Sequence, residues 1–296
     1  MKSKIAYIFL YAWAKAHAWL PVSVLYILAD ILYVLVYKVM RYRVRMVRNN
    51  MKASFPQKTE AERKCLERGF YHYFSDYIVE LLKQAHVSKE EMLARAHITN
   101  PELIDRLVDE GYTCIAVFLG HYGNWEWFPA SNTVFRSACM YPIYRPLNNK
   151  AFDKLITNFR TRFGVHLIEK HSTSKSIIQL KLDKTPSMVF FLADQNPGRD
   201  YLEYWSTFLN RDTPVLTGPE KIARRLELPV VFADMTVVKR GQYSFAFKLL
   251  TKTPQSTPEF WVTETYIRLM EESILKNPSY WLWTHNRWKY KREQNA

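Results

Sequence analysis

Cysteine is scarce in this chain, with three in 296 residues. Cys65, Cys114 and Cys139 are odd in number, widely spaced and form no CxxC pair, which excludes a disulfide framework and points to a reducing compartment. Cys139, inside the apolar run ACMYPIY, reads as a core residue. There is no HExxH and no His–Cys cluster, so no metal is expected. Acidic side chains are the minority charge, 28 Asp and Glu against 42 Lys and Arg, and the formal charge of +14 favours anionic partners. Acidic lipid headgroups, acidic carrier proteins and nucleic acid all meet that condition, but no recognisable RNA- or DNA-binding motif is present, and nucleic acid is not expected as a partner. Repeats, low-complexity tracts and convincing linkers are also missing. The apolar N-terminal stretch carries no small-residue cleavage site, so it does not read as a removed signal peptide.

Aromatic residues, by contrast, make up 15% of the chain, and Tyr and Trp favour surfaces where water meets hydrocarbon. Residues 5–37 are almost continuously apolar and aromatic, interrupted by Lys15, His17, Pro21 and Asp30. The 16 residues from Val22 to Tyr37 fall short of the ~20 that cross a bilayer without strain, so this stretch spans at a tilt or lies half-buried. In the following RYRVRMVR, Arg41, Arg45 and Arg48 recur at helical spacing, with Arg43 to the side. A basic cluster beside an apolar segment marks the cytoplasmic face and attracts acidic headgroups. The expected organisation is a membrane-associated helical segment over residues 1–50 and one α/β domain over residues 51–296.

In that second part an amphipathic helical pattern over 60–95 is followed by short β-rich runs alternating with helices. The runs are 113–119, 138–144, 165–168, 187–193, 229–238, 243–250 and 280–284. Helices are expected near 149–163, up to Leu226 with Pro219 early in it, and from Thr257 and Pro258 to a point before Asn277 and Pro278. This alternation predicts an α/β fold, a mostly parallel twisted sheet of about seven strands flanked by helices. Residues 195–217 stand out as a long non-helical connection, a kind of segment that is usually functional.

Ligands in open α/β sheets bind beyond the carboxyl ends of parallel strands, so polar residues there are the first candidates. TCIAVFL runs into GHYGNWEW, placing His121 just past a buried strand and near two glycines that permit a sharp turn. ACMYPIY leads to Arg145, and SMVFFLA leads to Asp194 and Gln195. On a continuous helix His121 and Glu126 would stand about 140° apart and could not touch. With Asn124 as N-cap and Gly123 bending the chain, the imidazole is expected to fold back over the Glu126 carboxylate. A carboxylate on one ring nitrogen leaves the other free to act as a base. The start of the same helix offers N–H groups for an oxyanion.

The segment His121-Tyr-Gly-Asn-Trp-Glu126 resembles the HxxxxD/E signature of the lysophospholipid acyltransferase superfamily, in the HxGNWE form of the late lipid A acyltransferases of Gram-negative bacteria. Tyr144-Arg145-Pro146 resembles that family's YRP block, Asp194-Gln195 its DQ block, and Trp283 to Lys289 its terminal aromatic and basic block. After Asp194-Gln195 the chain departs from the family, reading Asn196, Pro197, Gly198 in place of an acid and a glycine.

The resemblance implies transfer of a fatty acyl chain from acyl carrier protein, or acyl-coenzyme A, to a hydroxyl of a lipid A precursor or related anionic lipid at the cytoplasmic face of the inner membrane. It implies no cofactor beyond that acyl thioester, and no Ser or Cys nucleophile. His121 would be the base and Glu126 its orienting partner. Arg145 would meet phosphate or developing negative charge, and Asp194 and Gln195 would shape the acceptor site. Arg287 in the terminal block would contact headgroups or the acidic carrier, and Arg160 and Arg162 would face phosphates. Asn124 joins the expected substrate-binding set. Another lipid acceptor (an aminolipid, a phosphatidylinositol mannoside, a glycerol phosphate) and a non-enzymatic basic membrane-binding protein are the alternatives.

Overall fold

In the computed structural model, which describes residues 2–292, the expected apolar runs pair edge to edge. The N-terminal part is helical: α1 (Lys2–Ala18), α2 (Val22–Tyr33), α3 (Val44–Ser54), α4 (Glu60–Lys83) and α5 (Lys89–Arg95). Next come β1 (Ala96–Ile98), α6 (Glu102–Asp109), β2 (Cys114–Leu119), β3 (Cys139–Tyr144), α7 (Lys150–Thr161), β4 (Ile168–Glu169), α8 (Thr173–Leu182) and β5 (Ser187–Leu192). The chain continues through β6 (Tyr204–Phe208), β7 (Arg211–Val215), α9 (Gly218–Arg225), β8 (Val230–Lys239), β9 (Gln242–Thr251) and α10 (Trp261–Lys276). Seven strands form one sheet in the order β1-β9-β8-β2-β5-β3-β4, parallel at every pairing except the β8–β9 hairpin.

The sequence explains the sheet's centre. Every residue of CIAVFL in β2 is buried, and SMVFFL in β5 is buried up to its last residue. A parallel strand covered by helices on both faces must be apolar throughout, and the continuous runs meet that requirement. Register then decides what meets at the carboxyl edge: Leu119 of β2 lies opposite Leu192 of β5.

Four expectations need correction. The run 280–284 adds no strand to the main sheet; Pro278–Tyr280 is a short 3-10 turn, and Trp281 bridges to Tyr122 alone. Residues 195–217 are not a structureless connection, because β6 and β7 form a separate antiparallel hairpin there, whose second strand is disguised in the sequence by Pro214 and the charged Arg211 and Asp212. The chain after Asn124 is a 3-10 helix, Trp125–Val134, interrupted by Pro129, and Asn124 makes no capping bond. The arginines after the apolar segment do not share one helix, since Arg41 and Arg43 adopt left-handed backbone angles that break the chain before α3. Arg48, itself exposed, donates to the buried Glu67 carboxylate at 2.8 and 2.9 Å, and Arg43 donates to the carbonyl of Thr284 at 2.8 Å.

The apolar segment runs on from α2 through a π-helical turn, Val34–Val39, and together these 18 residues are long and apolar enough to cross a bilayer. One side of α2 is committed to protein: Leu25, Ala29 and Tyr33 are buried, while Val24, Ile27, Leu28 and Ile31 are exposed. The tight β8–β9 turn fastens it. Arg240 reaches Asp30 of α2 and Asp76 of α4, each at 2.6 Å, and lies over the Tyr26 ring at 4.4 Å. Gly241 supplies the left-handed residue of that turn, and a side chain there would run into the Tyr26 hydroxyl. Gly241→Ala should therefore cost about 2 kcal/mol of stability or more, from backbone strain and the displaced ring. Urea unfolding measures it; a midpoint equal to wild type would show that the turn does not hold α2.

Candidate active site

Two residues past the paired leucines, β2 delivers His121 and β5 delivers Asp194. Neighbouring parallel strands lie about 4.8 Å apart, so side chains at matched positions beyond their ends are within hydrogen-bonding reach. His121 Nδ1 stands 2.7 Å from Asp194 Oδ1, and the His121 backbone N–H donates to Oδ2 at 2.9 Å. The indole N–H of Trp281 donates to Oδ2 as well, at 2.8 Å. Asp194 is fully buried; burial alone would raise its pKa, but the charge of His121 and these hydrogen bonds prevail and hold it at about 2. An ionised carboxylate only accepts, so Nδ1 carries a hydrogen, and in the neutral ring Nε2 presents a lone pair. The Gln195 amide nitrogen lies 3.3 Å from Nε2, and the edge of the ring meets Trp125 at 5.0 Å between centroids.

The expected His121–Glu126 pair is not formed. Glu126 is buried on another side of the turn and takes both arms of Arg160, with Nε donating to Oε2 at 2.8 Å and Nη2 to Oε1. The reason is helical pitch. A 3-10 turn advances about 120° per residue, and from Gly123, itself left-handed, it carries the carboxylate toward α7 rather than back over the ring. Burial would lower the Arg160 pKa; the Glu126 carboxylate outweighs it, and the guanidinium pKa is raised. Arg160 thus ties the turn to α7 instead of facing a phosphate. Arg162 is likewise engaged, donating to the carbonyls of Gln84 and Val87, the latter at 3.0 Å. Asn124 is fully buried; its amide nitrogen donates to Glu80 at 2.5 Å, while its amide oxygen has no partner among the described residues.

Arg145 follows β3, the strand beside β5, and is exposed at the same sheet edge. Arg287 is a different case. It is fully buried, and among the described residues Nε, Nη1 and Nη2 all lack a hydrogen-bond partner. Burial lowers its pKa to about 10, opposed by Asp194 and Tyr266. The segment around it is pinned: Arg43 holds the Thr284 carbonyl, Asn50 those of Trp283 and His285, and Asn196 that of Asn286 at 2.7 Å. His285 in the same segment is driven by burial to a pKa of about 4, with Asp194 opposing. Among the described residues no group of three His, Cys, Asp or Glu side chains could hold a metal ion.

Backing the His121 turn are residues the sequence did not mark. Gly123 N–H donates to the Tyr280 carbonyl at 2.9 Å, Leu282 N–H to that of His121 at 3.1 Å, and the Tyr73 hydroxyl to that of Gly123 at 2.6 Å.

Residues 2–290 match the family described as bacterial lipid A biosynthesis acyltransferase. The chain belongs to that family. Membership implies an acyltransferase that serves lipid A biosynthesis, in a family associated with bacterial membranes. No curated protein matches the chain. In this family member the histidine of the HxxxxE segment is held by the aspartate of the downstream DQ pair, and the glutamate of the segment serves the 3-10 helix.

The depressed Asp194 pKa makes a pH-linked contribution to stability. Because the folded value lies below the ordinary 3.8, the contribution is complete above about pH 4 and is lost as the pH falls toward 2. Wild type should lose unfolding free energy across that window more steeply than Asp194→Asn, as read by denaturant titrations at successive pH values. Equal slopes would mean that the carboxylate is not held by its three donors.

Proposed function

We propose that this protein transfers a fatty acyl group from an acyl thioester, carried by acyl carrier protein or coenzyme A, to a hydroxyl of a lipid A precursor or related anionic lipid. One observation carries the reading: a part-exposed imidazole whose Nδ1 is fixed by a buried carboxylate, with Nε2 left as the acceptor. His121 Nε2 takes the hydroxyl proton as the oxygen attacks the thioester carbonyl, giving a tetrahedral intermediate. Collapse breaks the C–S bond, and the imidazolium returns its proton to the departing thiolate. Asp194 fixes the ring and stabilises its charged form, the part a buried aspartate plays beside a catalytic histidine. Gln195, lying over Nε2, is displaced by or hydrogen-bonds to the acceptor hydroxyl. Glu126 contributes through Arg160 by keeping the turn in place.

Cationic groups suit the substrates. Arg145, exposed at the same edge, meets a phosphate, and Arg287 meets an anionic group of the bound lipid or thioester. A buried guanidinium without partners costs several kcal/mol, and an incoming anion offsets that cost. The exposed apolar side of α2 seats the protein on the cytoplasmic face of the inner membrane, with residues 1–50 as the attachment and residues 51–296 as the acyltransferase domain. Family membership supports the lipid A acceptor.

The test uses membranes from cells lacking the gene, labelled acyl-carrier or acyl-coenzyme A donors, and mass analysis of the lipids. Wild type should add one acyl chain to a lipid A precursor, and His121→Ala should transfer at least about 100-fold more slowly while staying folded and lipid-bound. Acylation of an aminolipid, a phosphatidylinositol mannoside or a glycerol phosphate instead would replace the acceptor and keep the chemistry. Unchanged transfer by His121→Ala would reject the mechanism.

A further inference from the structure

Glu80 of α4 is buried and receives three side-chain donors from three different parts of the chain. The Tyr26 hydroxyl of α2 donates to Oε1 at 2.8 Å. The Asn124 amide of the His121 turn donates to Oε2 at 2.5 Å, and the Tyr243 hydroxyl of β9 donates to the same oxygen at 2.6 Å. The Glu80 backbone joins in, its carbonyl accepting from the Trp127 indole N–H at 3.1 Å. An ionised carboxylate satisfies all three side-chain donors, whereas a carboxamide or an acid would turn one oxygen's worth of acceptors into a donor. Buried polar groups cost free energy when unpaired, so these four side chains are interdependent.

The arrangement makes a short path from the apolar helix to the base. Tyr26 lies on α2 between the exposed Val24 and Ile27, and its ring is held under Arg240. Asn124 is three residues from His121 and precedes Trp125, whose ring meets the imidazole edge-on. Between them stands one carboxylate. A shift of α2 that breaks the Tyr26 bond leaves Oε1 of Glu80 without its donor, and the carboxylate that holds Asn124 through Oε2 is then free to turn.

We infer that Glu80 is a positioning residue that ties the His121 turn to α2, so that seating the apolar face of α2 on a lipid surface sets the alignment of the base. The inference rests on the acyl-transfer reading for its kinetic consequence, and on the hydrogen bonds alone for its structural one. Tyr26→Phe is the sharpest variant, because it removes one hydroxyl and keeps the ring under Arg240.

The experiment uses the full chain bound to vesicles of phosphatidylcholine and phosphatidylglycerol, comparing wild type, Tyr26→Phe, Glu80→Gln and the double variant. Vesicle-bound fraction, Tm, kcat and KM are measured, together with the rate at which diethyl pyrocarbonate modifies His121, followed by peptide mass. Tyr26→Phe should bind vesicles as wild type does and keep both KM values. Its kcat per folded molecule should fall about tenfold, since small misplacements of a base are costly. His121 should be modified severalfold faster. Glu80→Gln should change both readouts in the same direction and further, and the double variant should match Glu80→Gln, because the two residues act along one path. Wild-type kcat and wild-type modification rates in Tyr26→Phe would overturn the inference, as would losses that multiply in the double variant. If wild-type protein acylates no lipid, the acyl-transfer reading fails, and the His121 modification rates still decide whether the tie exists.

Discussion

The site depends on the alignment of two adjacent parallel strands. With Leu119 and Leu192 in register, the next two residues of each strand bring an imidazole and a carboxylate to the same point of the sheet edge. Everything near the pair serves to keep it there. Trp281 and the His121 backbone N–H satisfy Asp194, the 280–282 segment backs the turn by the two backbone hydrogen bonds that make the Tyr122–Trp281 bridge, and Gln195 lies over the free nitrogen. A charge buried without such donors would neutralise itself by a shifted pKa; here the donors keep it ionised.

This division of labour separates two carboxylates that a linear motif sets on equal footing. Asp194 touches the imidazole, whereas Glu126 touches Arg160 and secures the helix that follows the turn. Both are buried and both are paired, so removal of either would disturb the site, but by different routes. One alters the ring's hydrogen bond directly, and the other releases the Trp125–Val134 helix from α7. Glu80 adds a third buried carboxylate, with burial raising its pKa to about 7 against the bonds from Tyr243, Tyr26 and Asn124.

Much of the scaffold was legible in the chain. Continuous apolar runs marked the buried parallel strands, and helix ends announced themselves at Gly164, Pro219 and Asn277. His121, Arg145 and Asp194 were correctly placed at strand ends, because a polar residue after an apolar run is a local signal. The partner of His121 was misassigned because pairing across strands is not local. One cue was available: CIAVFL and SMVFFL have equal length, and His121 and Asp194 stand at the same offset beyond them. The hairpin Tyr204–Val215 was missed because both strands are short and the second, RDTPV, carries two charges and Pro214. Arg160, Arg162 and Asn124 were expected at the substrate, yet their partners lie far off in sequence at Glu126, Gln84 and Glu80, where no spacing rule reaches.

Nitrogen-15 chemical shifts of the His121 ring test the central claim most directly, since they report which nitrogen carries the proton and what it is bonded to. In wild type at neutral pH the neutral ring should show a protonated Nδ1 and an unprotonated Nε2, a pattern that Asp194→Asn disrupts and Glu126→Gln preserves. A ring protonated at Nε2, or one disturbed by Glu126→Gln and indifferent to Asp194→Asn, would contradict it.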